Sequence, residues 1–128
     1  MTRVCAVLAL LLVVGCNDHA DKRFEDQARA DLVRIDAGLC APVAAEFASV
    51  VATRLDAGGL CRAFATYEAE FGTYRSAGTA TSVQRGAITV VQVPLRLTKG
   101  AGEYRVSYDV DGKIVGIYFL RAGVPLGG

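Results

Sequence analysis

Apolar residues in the first half of the chain recur at helical spacing. Three stretches carry such a stripe: Phe24, Ala28, Leu32 and Ile35; Phe47, Val50, Val51 and Leu55; and Leu60, Phe64, Tyr67 and Phe71. A recurrence every three or four residues is typical of amphipathic helices with one buried face. The pattern predicts three helices that end near Gly38, Gly58 and Gly72, and the second runs from Pro42 to Leu55 as one piece.

After Thr73 the apolar residues alternate with polar ones. One alternating segment contains Thr89, Val91, Val93, Leu95 and Leu97, and the next contains Tyr104, Val106, Tyr108 and Val110. A period of two residues is typical of half-buried antiparallel strands. A less regular strand is expected over residues 73–85, and Pro94 indicates a bulge or incomplete pairing in the strand that contains it.

Two turns are predicted in this half of the chain. The segment Gly100-Ala101-Gly102 connects the alternating segments, and Asp111-Gly112 is typical of a two-residue hairpin. The hairpin sets a register with these opposing pairs: Val110 and Lys113, Tyr108 and Val115, Val106 and Ile117, and Tyr104 and Phe119. In that register Ile114 and Tyr118 lie on the outer face of the sheet, beside Arg105 and Asp109.

Helices followed by strands predict an α+β domain. We expect three N-terminal helices packed on one face of a four-stranded antiparallel meander sheet. This order of elements resembles the cystatin-like and nuclear-transport-factor-2-like rolls. The Phe47–Leu55 stripe, Phe71-Gly72-Thr73-Tyr74 and the closing segment from Tyr108 to Phe119 also resemble a bacterial domain family of unknown function, whose members occur alone or ahead of α/β-hydrolase domains. That resemblance covers about residues 28 to 121 and implies a fold rather than a function.

The first 16 residues have the order of a secretory signal. Arg3 precedes an apolar run from Val4 to Val14, and Gly15 and Cys16 follow it. The run is too short to cross a bilayer, which takes about 20 residues in a helix. Val13-Val14-Gly15-Cys16 resembles the lipobox of bacterial lipoproteins. The resemblance implies that Cys16 receives a lipid, that the chain is cut before it, and that the new amino group is acylated.

The leader and the two patterns divide the chain into four parts. We expect a lipoprotein signal peptide at residues 1–15, a tether at 16–22, one domain at 23–121, and a frayed tail at 122–128. The protein is then held by its lipid on a membrane of the bacterial cell envelope, facing the periplasm or the exterior. Its 14 basic and 13 acidic residues nearly balance, and this argues against a nucleic-acid partner.

Cys40 and Cys61 are the cysteines left in the expected mature chain, because Cys5 leaves with the signal and Cys16 is acylated. An oxidising compartment favours a disulfide between them. Geometry argues against it, since a straight second helix separates its ends by about 20 Å whereas bridged Cα atoms lie about 4.4 to 6.8 Å apart. The bridge closes only if the third helix folds back across the start of the second. A metal site is the weaker interpretation, because no CxxC or Cys/His cluster accompanies the pair.

Groups that could catalyse a reaction are scarce. The one histidine, His19, lies in the tether, and a nucleophilic triad needs a base inside the fold. Glu46, Glu68 and Glu70 sit on predicted helices, where a solvated face explains them. We therefore expect no enzyme activity, no cofactor and no metal.

The outer sheet face is the candidate interaction site. Arg105, Asp109, Ile114 and Tyr118 would form an apolar patch with charged neighbours, which is typical of protein contact surfaces. Partner binding or self-association there is the first hypothesis, and a terminal segment that covers the face is the alternative. The second hypothesis is a small-molecule pocket between helices and sheet, with polar tips from Tyr67, Tyr74, Tyr104 and Tyr108. Protease inhibition, by analogy with cystatins, rests on the fold resemblance alone.

Overall fold

The computed structural model describes the backbone of residues 9–127 and the side chains of residues 22–127. In this part of the chain four helices precede five strands. The helices are α1 (Ala9–Asp36), α2 (Cys40–Ala44), α3 (Ser49–Ala52) and α4 (Ala57–Phe71), and the strands are β1 (Tyr74–Ala77), β2 (Thr81–Arg85), β3 (Ile88–Leu97), β4 (Gly100–Tyr108) and β5 (Ile114–Arg121). The α+β class with an antiparallel sheet is confirmed. The predicted count of three helices and four strands is wrong, and the two extra elements come from breaks described below.

The first helix ends where the sequence places its end. Gly38 has a φ of 79°, and the N–H of Leu39 donates to the carbonyl of Arg34 at 2.8 Å to close the last turn. All four residues of the predicted apolar stripe on α1 are buried: Phe24, Ala28, Leu32 and Ile35. The helix also runs through residues 16–22, so the expected tether is helical. Residues 1–8 of the expected signal lie outside the described residues, as do the side chains of Cys16 and His19.

The predicted second helix is broken in the middle. Phe47 leaves the helical path and forms a parallel β-bridge with Ile114. Two hydrogen bonds hold it there: the N–H of Ile114 donates to the carbonyl of Glu46 at 2.8 Å, and the N–H of Ala48 donates to the carbonyl of Ile114 at 2.9 Å. This tertiary pairing overrides the local helical preference of the segment. The prediction of one straight helix from 42 to 55 is therefore wrong.

The break also decides the question of the disulfide. With the segment bent, α4 packs beside α2, and the Cα atoms of Cys40 and Cys61 lie 6.0 Å apart in a disulfide. This separation is within the range for bridged residues. The geometric objection assumed a straight helix, so it does not apply. Asp56 starts α4, because its side chain accepts a hydrogen bond from the N–H of Gly59 at 2.7 Å.

The sheet has the order β1-β3-β4-β5, and β2 also pairs with β3. β1 and β2 lie on the same side of β3, so the expected strand over 73–85 is one edge strand interrupted at residues 78–80. Pro94 of β3 lies opposite this interruption and has no N–H to donate. The carbonyl of Gly78 accepts a hydrogen bond from the side chain of Arg29 instead. The irregularity expected in the strand of Pro94 is therefore found in the neighbouring edge strand, at residues 78–80.

The turn between β4 and β5 is longer than predicted. The pairs Val106 with Ile117 and Tyr104 with Phe119 are confirmed, but Tyr108 pairs with Ile114 across a β-bulge. The carboxylate of Asp109 accepts hydrogen bonds from the N–H groups of Asp111 and Lys113, at 2.9 and 3.0 Å, and these hold a wider loop. The predicted pairs of Tyr108 with Val115 and of Val110 with Lys113 are therefore wrong. Similarly, the preceding turn falls at residues 98–99 rather than at 100–102.

Candidate functional site

The predicted interaction face is only partly assembled. Arg105 and Tyr118 oppose each other across β4 and β5, and the side chain of Tyr118 is 54% exposed. Ile114 does not join them: it is 0% exposed, because the bulge turns it into the core. Asp109 is half-buried and engaged in the turn. The inclusion of Ile114 in an exposed face was wrong, and only Arg105 and Tyr118 remain on one surface.

A terminal segment covers much of this face. Residues 122–127, here called the C-terminal strap, lie across the sheet instead of fraying. Arg105 donates through Nη2 to the carbonyl of Val124 at 2.5 Å and through Nη1 to that of Pro125 at 3.2 Å. Arg85 donates to the carbonyl of Gly127 at 2.9 Å. The covering segment that the sequence left open as an alternative is therefore present.

Arg105 is nearly inaccessible to water, with 7% of its surface exposed. Its Nε donates to the carboxylate of Glu103, a residue of the same strand, at 2.7 Å. Glu103 also accepts from the side-chain amide of Gln92 at 3.3 Å. A buried guanidinium needs such a counter-charge, because desolvation of an unpaired charge costs several kcal/mol. The pair lies within the sheet, so it fixes Arg105 independently of the strap.

Two depressions meet at Tyr118. The first, of about 400 Å³, lies between the sheet and the strap and is lined mainly by Val90, Tyr118, Leu120, Val124 and Leu126, with Arg85 and Arg105. The second, of about 330 Å³, lies between α4 and β5. Tyr118 and Leu120 line both of them. Since β5 is the edge strand, an apolar surface continues around the edge of the sheet.

A buried polar cluster lies between α1 and the sheet. Asp31 on α1 is fully buried, and its Oδ1 accepts a hydrogen bond from Nη1 of Arg34 at 2.9 Å. The carboxyl group of Glu46 reaches Asp31 from the linker between α2 and α3, and Gln27 donates to Glu46 at 2.8 Å. Two carboxyl groups can form a hydrogen bond only when one of them holds a proton. Glu46 is thus half-buried and not on the solvated helix face that was expected.

The environment of Asp31 favours its protonated form. Burial, with the neighbouring Glu46 as the next cause, raises the pKa of Asp31 from 3.8 to about 8, and Arg34 opposes this rise. The sequence carried a signal for this group that was missed. Asp31 lies seven residues after Phe24 and four before Ile35, which is the spacing of the buried stripe on α1.

Tyr104 and Tyr108 extend the cluster from β4. Both side chains are fully buried, and within the described residues neither hydroxyl has a hydrogen-bond partner. Burial raises the pKa of both tyrosines, and the nearby acidic groups raise it further. They are therefore neutral donors in a site without water contact. The other two tyrosines named for a pocket lie elsewhere: Tyr67 donates to the carbonyl of Leu120 at 2.7 Å, and Tyr74 is half-buried.

Comparison with models of protein families, with curated proteins and with solved structures gave no match to this chain. No family is therefore shown for it. Its function has to be inferred from the geometry of the outer face and of the buried cluster.

Proposed function

We propose that this chain is a lipid-anchored protein of the bacterial cell envelope and that its domain is a non-catalytic binding module. The order of Arg3, the apolar run and the lipobox-like Val13-Val14-Gly15-Cys16 supports the anchor. The disulfide between Cys40 and Cys61 supports an oxidising compartment such as the periplasm or the exterior. Cleavage before Cys16 leaves the backbone from residue 16 to residue 22 as a helical link between lipid and domain.

We also propose that the domain is a roll of the cystatin-like or nuclear-transport-factor-2-like kind. A long N-terminal helix that contacts β2, β3 and β4 on one face of an antiparallel sheet supports this assignment. The resemblance to the bacterial domain family of unknown function is part of the same proposal.

The observation that carries the binding role is the apolar surface around Tyr118. An aromatic side chain that is half-exposed between two apolar depressions is a typical anchor of a protein interface. Arg85 and Arg105 lie beside it and donate hydrogen bonds to the backbone of the strap. These groups suit contacts with a partner, since they combine apolar surface with hydrogen-bond donors. We therefore assign the outer face a binding role.

The Tyr118→Glu variant should lose its partners. A charge on the apolar surface should weaken a contact there by about 2 kcal/mol or more, which is about thirtyfold in affinity. Val33→Glu is the matched control, because Val33 is 66% exposed on α1, away from the depressions. We expect chemical crosslinking of intact cells to give the same adducts for the wild type and the control and none for Tyr118→Glu. Identical adducts in all three would contradict the binding role of this face.

The Cys16→Ala variant should lose the lipid. In the wild type, intact mass should show a chain that begins at residue 16 with added acyl mass, in the membrane fraction. Several acyl chains hold a protein durably, at about 0.8 kcal/mol for each buried methylene. Cys5→Ala is the control and should still be acylated, since Cys5 lies inside the expected signal. An unacylated wild-type chain would contradict the lipoprotein proposal.

A second candidate function is the binding of a small molecule between helices and sheet. The unpartnered hydroxyl groups of Tyr104 and Tyr108 favour it, because buried polar groups without a partner are rare in native proteins. A ligand with a carbonyl or hydroxyl group would satisfy them. Such a ligand would raise the melting temperature of the wild type and not that of Tyr104→Phe.

A further inference from the structure

The strap is held mainly through its backbone. Three of its carbonyl groups, those of Val124, Pro125 and Gly127, accept hydrogen bonds from Arg105 and Arg85. A guanidinium group presents several donors in one plane and can serve two successive carbonyls. Every polypeptide offers backbone carbonyls, so these contacts recognise the backbone and not one particular sequence.

Side-chain selection comes from the apolar depression. Val124 and Leu126 both line it, together with Val90 and Leu120 of the sheet, whereas Pro125 between them is exposed. In an extended segment alternate residues point to the same side. About 400 Å³ stays open beside Tyr118 with the strap in place. The strap therefore shows the pattern of a suitable occupant and fills only part of the available space.

Little besides these contacts holds the strap in place. It belongs to no strand of the sheet, and it begins with a turn at Gly123, whose φ is 86°. Segments with few buried apolar contacts and no ladder of backbone hydrogen bonds open at low free-energy cost. A partner segment that fills more of the depression would gain apolar burial that the strap does not supply.

We propose that the outer face is a groove for an extended polypeptide segment of a partner and that the strap is a built-in occupant which this segment displaces. The segment presents apolar side chains at alternate positions and lays its carbonyl groups on Arg105 and Arg85. This inference rests on the proposed binding role of the same face and adds the chemistry of the partner. The strap then occupies the groove in most molecules, and the open groove is a minor state. A partner has to compete with the strap, and this lowers its apparent affinity.

The test uses a synthetic peptide with the sequence of residues 122–128, titrated into the isotope-labelled full chain and followed by NMR. In the Val124→Asp/Leu126→Asp variant the strap is loosened. We expect saturable shifts for groups around Arg105 and Tyr118 at millimolar peptide. The wild type should bind at least about twofold more weakly, because its own strap competes at a millimolar effective concentration, similar to the dissociation constant of the peptide. A peptide with the same two Asp substitutions should not bind.

A second variant, Pro125→Gly, loosens the strap without adding charge, so the test does not depend on tolerance of the two acids. Absence of saturable binding to both loosened variants would overturn the groove. Equal binding to the wild type would overturn displacement. Concentration-dependent dimers of the wild type that the loosened variants do not form would assign the groove to a second copy's strap, and would overturn a separate partner.

The outcome is independent of the crosslinking experiment. Peptide binding with unchanged adducts for Tyr118→Glu would refute the proposed function and with it a partner in the groove, and would leave the strap as the occupant of the groove. Loss of adducts without peptide binding would refute only the extended-segment partner.

Discussion

Replacement of Cys40 and Cys61 together by alanine should lower the free energy of unfolding by about 3 kcal/mol. The disulfide closes a loop with a sequence separation of 21 residues, and a loop of this size restricts the unfolded chain by that amount. It joins α2 to α4 across a segment whose two short helices make few hydrogen bonds of their own. Small domains are stable by only about 5–15 kcal/mol. The loss should therefore lower the melting temperature by about 15 °C.

Thermal and urea unfolding of the oxidised wild type and of the Cys40→Ala/Cys61→Ala variant measure this effect. The reduced wild type is the control, since it has lost the bond but kept both side chains, and it should resemble the variant. The slope of free energy against urea should be larger for the variant, because its unfolded state is less compact. Equal midpoints for oxidised and reduced protein would show that the bond does not contribute to stability.

The elements that the sequence predicted well are those with local causes. The stripe on α1, its end at Gly38 and the alternation in β3 and β4 are confirmed because neighbouring residues along the chain determine them. The disulfide was predicted from the expected oxidising compartment, whereas the helical pattern of residues 42–55 argued against it. The two mispredicted turns are local errors, since Asp109 holds the wider loop through Asp111 and Lys113. The errors in the second helix and in the position of Ile114 have a different origin, because they depend on residues far away in the sequence.

Phe47 and Ile114 illustrate this limit. Phe47 fits a helical stripe, and only its bridge to Ile114, 67 positions later, breaks the helix. The bulge beside Ile114 then shifts the register by one residue, which moves Ile114 from the outer face to the core. A pattern of period two cannot reveal such a shift when Val115 and Ile114 are both apolar. The candidate face was therefore predicted in part: Arg105 and Tyr118 are on it and Ile114 is not.

The strap and the buried cluster were harder to predict. Nothing in the sequence of residues 122–127 indicates that Arg105 binds its carbonyls, since backbone groups are the same in every segment. Asp31 was visible in principle, because an acid on a buried stripe needs a partner. That partner, Glu46, comes from a linker that the sequence predicted as a helix with a solvated face.

Asp31→Asn should make the protein more stable at alkaline pH. The pKa of Asp31 is raised from 3.8 to about 8 in the folded state, so between these values the folded protein binds more protons than the unfolded chain. Stability then falls as pH rises through this window, by up to about 1.4 kcal/mol per pH unit, and is constant above it. The charged groups around Asp31 are Arg34 on its own helix and Glu46 on the linker, with neutral Tyr104 and Tyr108 on β4.

Asparagine keeps the shape of the neutral acid and cannot acquire its charge. Its carbonyl can still accept from Arg34, and its amide can donate to Glu46. We expect urea unfolding to show that the wild type loses about 4 kcal/mol between pH 5 and pH 8.5 relative to Asp31→Asn, while the two agree near pH 5. Asp26→Asn is the control, since Asp26 lies on the exposed side of α1, and its profile should follow the wild type. Parallel profiles for the wild type and Asp31→Asn would show that Asp31 is already ionised in the folded protein, and that Glu46 is held near it by some other contact.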